Sequence, residues 1–134
     1  NSLYPFHSTT KELHKEFTDG GSKDALLGIE AATQCAGMMS AFSEIAKSRN
    51  PGELTAIQNA ENVATAQIAA ALALYKTYYK NTDYTFENKE FVSLVGSDVA
   101  AKKIKYKWLF QKTDSKGSQK TPELAEDLVF CSGK

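Results

Sequence analysis

The stretch A100-A-K-K-I-K-Y-K-W-L-F-Q-K112 decides the fold, because it reads two ways. As a strand it alternates, with Ile104, Tyr106, Trp108 and Phe110 on one side and Lys103, Lys105 and Lys107 on the other. As a helix its apolar residues spread around most of the circumference, although Ala100, Ile104 and Trp108 align at steps of four. Local alternation favours the strand. The rest of the chain favours the helix, since no other segment reads as a strand and a lone strand has no ladder to join. The helical reading gives an all-α bundle, whereas a strand at 103–110 would give an α+β domain.

Upstream of this stretch the period is helical throughout. Residues 1–8 form an irregular arm. Thr9 with Glu12 makes a capping box for a short helix, TKELHKEF, which stops at Gly20-Gly21. Leu27, Ala31, Cys35, Met38, Met39, Phe42, Ile45 and Ala46 then recur at steps of three and four, the signature of a long amphipathic helix. Asn50-Pro51-Gly52-Glu53 reads as the start of the next, with asparagine as cap and proline in the first turn. Its inward face runs from Leu54 through Ile57, Ala60, Ala64, Ile68 and Ala71 to Tyr75 and Tyr79. The alanines along that face allow close approach of a neighbouring helix.

Thr85 is placed to cap a fourth helix with Phe91, Leu94 and Val95 inward, and Gly96-Ser97-Asp98 is a kink or a fresh start. Residues 113–120 are a polar loop. Thr121-Pro122-Glu123 opens a last short helix, with Leu124, Leu128 and Val129 inward and Cys131 at its end. The expected architecture is an up-and-down bundle of about four main helices with short extra ones, in a single domain over residues 1–134.

Composition bounds the function. Among 134 residues, sixteen basic and sixteen acidic side chains cancel, so no global field draws the chain to nucleic acid or to a membrane. No apolar run is long enough to span a bilayer. The chain begins with asparagine rather than methionine, which reads as trimming, either by a signal peptidase or in preparing the protein. Two cysteines, Cys35 and Cys131, fit one disulfide in an oxidising compartment, so a secreted or periplasmic location is expected. If bridged, the closed loop is worth about 4–5 kcal/mol in the chain-entropy picture.

Patterns that carry chemistry are sparse. His7 and His14 lack any metal-ligand spacing, and neither a phosphate-binding glycine loop nor a nucleophile elbow occurs. Glu30, Glu44, Glu53, Glu61, Asp98, Glu123, Glu126 and Asp127 are scattered over separate elements. The adjacent pair Glu126-Asp127 points to different sides of a helix. No cofactor, metal or catalytic residue is assigned, and an enzyme is not the expected class.

Residues 102–120 hold seven lysines against one acid, Asp114. Lysines among aromatics suit single-stranded nucleic acid, but the stretch lacks arginine and its rings fall where a core would want them. The reading is a solvated lysine face on an amphipathic element, with attraction to an acidic partner protein as the alternative. Tyr75, Tyr78 and Tyr79 end the third helix, with Tyr84 and Phe86 just after the turn that follows, and such rings anchor interfaces. Together with Lys103, Lys105 and Lys107 they are the candidate partner-binding residues. The expected function is a small exported helical protein that acts by binding another protein, as an inhibitor, immunity factor, adaptor or accessory subunit of a surface or virion assembly. An oligomer is compatible with this. A carrier with a cavity lined by Met38, Met39, Phe42 and Ile68 is the alternative, and an enzyme with a site assembled from scattered acids comes after it.

Overall fold

A computed structural model describes residues 3–20, 24–80, 88–112 and 121–133. Among them are five helices and no strand: α1 (Thr10–Asp19), α2 (Ala25–Arg49), α3 (Leu54–Lys80), α4 (Asn88–Lys112) and α5 (Pro122–Cys131). The stretch 100–112 is therefore helix, and the alternative strand at 103–110 is not formed. The same helix continues without a break from 88 through Gly96, so the fresh start offered as the alternative to a kink at Gly96-Ser97-Asp98 does not occur. The polar loop expected at 113–120 lies outside the described residues.

Local chemistry accounts for most boundaries. Thr9 is the N-cap of α1: its hydroxyl oxygen accepts from the Glu12 backbone N–H at 3.2 Å and donates to Glu12 Oε1 at 2.9 Å. Pro122 sits in the first turn of α5, where its missing N–H costs nothing. The start of α3 is later than expected. Asn50-Pro51-Gly52-Glu53 forms a turn closed by Glu53 N–H donating to the Asn50 carbonyl at 3.0 Å, and the helix begins at Leu54. Leu54 is consequently exposed rather than inward.

Helix α2 is the axis of the bundle and packs against every other helix. Its neighbours dictate direction. Lys47 meets Glu61 and Gly28 meets Leu74, so α3 runs antiparallel to α2. Gly37 meets Lys102 and Glu44 meets Lys107, so α4 runs parallel to it. This is the up-and-down order of a bundle.

Close approach depends on small residues. A Cβ built on Gly37 would lie 2.7 Å from Lys102 Cβ and 3.0 Å from the Lys103 backbone nitrogen, so only glycine lets α4 rest there. Ala32 and Ala36 of α2 pack with Ala71, Val95 and Val99 at one end of the core. At the other end Cys35, Met38, Met39 and Ala41 pack with Ala60, Ala64, Tyr106, Leu109 and Leu124. The disulfide joins Cys35 to Cys131 with Cα atoms 5.4 Å apart, fastening α5 to the middle of α2.

Candidate functional surface and buried polar clusters

The phase of α4 sets the candidate surface. Phe91, Val95, Val99, Lys102, Tyr106 and Leu109 recur at steps of three and four and are all buried. Leu94, expected inward, is 41% exposed, and Ile104 and Trp108 are 68% and 43% exposed. The helix thus carries a second apolar stripe that points away from the bundle, through Leu94, Ser97, Ala101, Ile104 and Trp108.

The lysines do not form one solvated face. Lys102 is buried. Its ammonium donates to Glu30 Oε2 at 2.9 Å, to Thr33 Oγ1, and to Asp98 Oδ2 at 3.2 Å, so the charge is paired where it enters the core. Lys103 and Lys107 converge on Glu44 of α2, at 2.9 Å and 3.0 Å, and these bonds hold the Glu44 carboxyl below the usual carboxylate range. Lys105 lies over the Phe6 ring, 5.2 Å from its centroid, on the N-terminal arm. Three candidate lysines therefore serve two intramolecular contacts on different sides of α4.

The aromatic candidates stand elsewhere. Tyr75, half-buried near the end of α3, stacks on Phe91 with ring centroids 6.2 Å apart. Tyr78 is half-buried nearby. Tyr79 falls within α3, whereas Tyr84 and Phe86 lie outside the described residues. Phe91 and Lys103 are twelve residues apart on one helix, about 18 Å along its axis. Among the described residues, Tyr75 and the three lysines stand at separate places along the bundle.

A second buried polar cluster was not singled out from the sequence. Asp127 of α5 is fully buried. Its Oδ1 accepts from the Thr10 backbone N–H at 2.9 Å, one of the free donors at the start of α1. Its Oδ2 accepts from the Tyr106 hydroxyl at 3.1 Å and from the Tyr4 hydroxyl. Gln34 completes the cluster, its Nε2 donating to Thr10 Oγ1 at 3.0 Å. Burial pushes the Asp127 carboxyl up to about 7, against the opposing pull of the Thr10 N–H. Burial also drives the Tyr106 phenol above its ordinary range, so it remains a donor. These groups satisfy one another, and the cluster ties the arm, α1, α4 and α5 together.

Both buried charges have a signal in the sequence. Lys102 continues the spacing Val95–Val99–Lys102–Tyr106–Leu109, and Asp127 continues Leu124–Asp127–Cys131. A charge that keeps the phase of an apolar stripe is directed inward and must find partners there.

An open apolar groove of about 340 Å3 runs between α2, α3 and α5, lined by Met39, Phe42, Val63, Leu128 and Val129. Met38 and Ile68 do not reach it: Met38 is fully buried, and Ile68 packs at the opposite end of the core. His14 packs on the Phe130 ring and His7 is exposed on the arm. Among the described residues no three His, Cys, Asp or Glu side chains gather to hold a metal ion, and no described helix is long and apolar enough to cross a membrane. No family model matches the chain, and neither a curated protein nor a solved structure does.

Proposed function

We propose that this chain is an exported helical binding module that holds another protein against the outward face of α4. The observation that carries the reading is the exposed stripe of Leu94, Ile104 and Trp108 on a helix whose opposite face is already packed. Isolated exposed apolar residues are ordinary, but an aligned row that includes a tryptophan and an isoleucine marks a contact surface. The disulfide is consistent with an oxidising, extracellular setting, and it stiffens the platform on which the face is presented.

The test is site-specific photo-crosslinking. A photoreactive phenylalanine analogue replaces Ile104 in one sample and Ala66, exposed on α3, in another. Protein adducts are expected from position 104 and not from position 66. Equal yields from both, or none from either, would sink the reading.

The groove over Met39, Phe42 and Val63 favours a second reading, a carrier of small apolar molecules. Displacement of an environment-sensitive apolar dye, lost on Val63→Arg, is the result that reading requires.

A further inference from the structure

We infer that the protein held against α4 is a second copy of this chain, docked antiparallel along the same face. This rests on the reading of that face as a binding surface and names its occupant. The argument comes from the order of side chains along the stripe. At steps of three and four it reads Leu94, Ser97, Ala101, Ile104, Trp108, so that the small Ser97 and Ala101 precede the large Ile104 and Trp108. When two copies cross antiparallel between Ala101 and Ile104, each Ile104 faces an Ala101 and each Trp108 faces a Ser97. Large side chains then meet small ones in the central layers, the condition for close packing of helices.

Charge follows the same register. Asp98 and Lys105 flank the stripe on one edge, and the antiparallel crossing sets each Asp98 beside the other copy's Lys105. Glu90 and Lys112, both exposed, likewise come to face each other across the pair. On the other edge Lys107 faces Ala100 and Gly96, so it meets no like charge. A parallel pairing fails on both counts: it stacks Trp108 on Trp108 and sets Lys107 beside Lys112, where like charges repel. The ammonium of Lys105 rests over Phe6 within its own copy, and its exposed stem leaves it within reach of a neighbour.

A single helix face lies at the small end of specific interfaces, so association in the micromolar range is expected. Sedimentation velocity from about 5 µM to about 500 µM brackets that range. The wild-type chain is expected to shift from one-copy to two-copy mass. Ile104→Lys places two charges in the central layers and should weaken the pair at least about tenfold. Lys112→Glu should weaken it, and Lys112→Glu with Glu90→Lys should restore it. These three positions are exposed, so helical content should be unchanged in all variants.

A wild-type chain of one-copy mass throughout overturns the inference. So does a dimer indifferent to Ile104→Lys, or one in which the charge exchange fails to restore pairing. The crosslinker at position 104 separates the two levels. Adducts between copies support both, adducts to a different protein alone overturn this inference while the binding face stands, and no adducts overturn both.

Discussion

Asp127 gives the sharpest quantitative prediction, because its carboxyl is fully enclosed and its partners are known. Its protonation falls near pH 3.8 when exposed and about 7 in the fold. Three units at about 1.4 kcal/mol each correspond to roughly 4 kcal/mol. The sign follows from which state gives up its proton first. Below about pH 4 the group is protonated both folded and unfolded, and it adds no pH dependence. From about pH 4 to about pH 7 the unfolded chain ionises while the folded one does not, so stability declines as pH rises. Above about 7 both are ionised and the decline levels off.

Asp127→Asn keeps the size of the side chain and removes its titration. Urea denaturation followed by circular dichroism, at several values between about pH 4 and pH 8, should show wild type losing up to about 4 kcal/mol relative to the variant. Glu44, depressed by its lysines, works in the opposite direction at low pH: its contribution is present above its unfolded pKa and fades as pH falls. It is common to both proteins and drops out of the difference. Parallel pH profiles for wild type and Asp127→Asn would refute the reasoning. Asp127→Ala should be more damaging at every pH, since it strands a helix N–H and takes the carboxylate acceptor away from the paired Tyr4 and Tyr106 hydroxyls.

Other expectations concern packing and the staple. Gly37→Ala forces α4 away from α2 and should cost about 1–3 kcal/mol in denaturant unfolding. Gly96→Ala meets nothing within 4 Å in mid-helix and should stabilise by about 0.5–1 kcal/mol, the opposite sign from the same substitution at Gly37. Reducing the disulfide closes a separation of 96 residues no longer, and should lower stability by about 4–5 kcal/mol, measured with and without a phosphine reductant. Glu44→Ala removes two surface ion pairs and should change stability by less than about 1 kcal/mol in the same assay.

Much of the fold is legible in the sequence because its punctuation is strong. Thr9, Gly20 and Pro122 bound short helices, and Cys35 on an apolar stripe is placed to meet Cys131. The phase of α4 is harder to read, for a physical reason. From 100 to 112 apolar residues occur on every side, so no local window selects a face. The choice is made upstream, where Phe91 stacks on Tyr75 of α3 and Val95 and Val99 pack with Ala32 and Ala36 of α2, and the rigid helix carries that phase onward. Lys102 then arrives inside and is tolerated because Glu30, Thr33 and Asp98 are there to receive it. Ile104 and Trp108 are left outside by the same geometry. The cluster around Asp127 is not legible along the chain because its donors come from residues 4, 10 and 106, which only the folded chain brings together.

The bond between Cys35 and Cys131 also divides the chain mechanically. A pull applied to the two ends passes from Cys35 directly to Cys131, so everything between them carries no load. With the bond intact, only the leading 35 residues and the last few can be drawn out, a contour of about 130 Å. With it reduced, the whole chain can extend to about 470 Å. Helices α3 and α4, with the outward stripe, sit entirely in the shielded segment, so tension on the ends can straighten the arm and α1 while the covalent loop keeps that face in place.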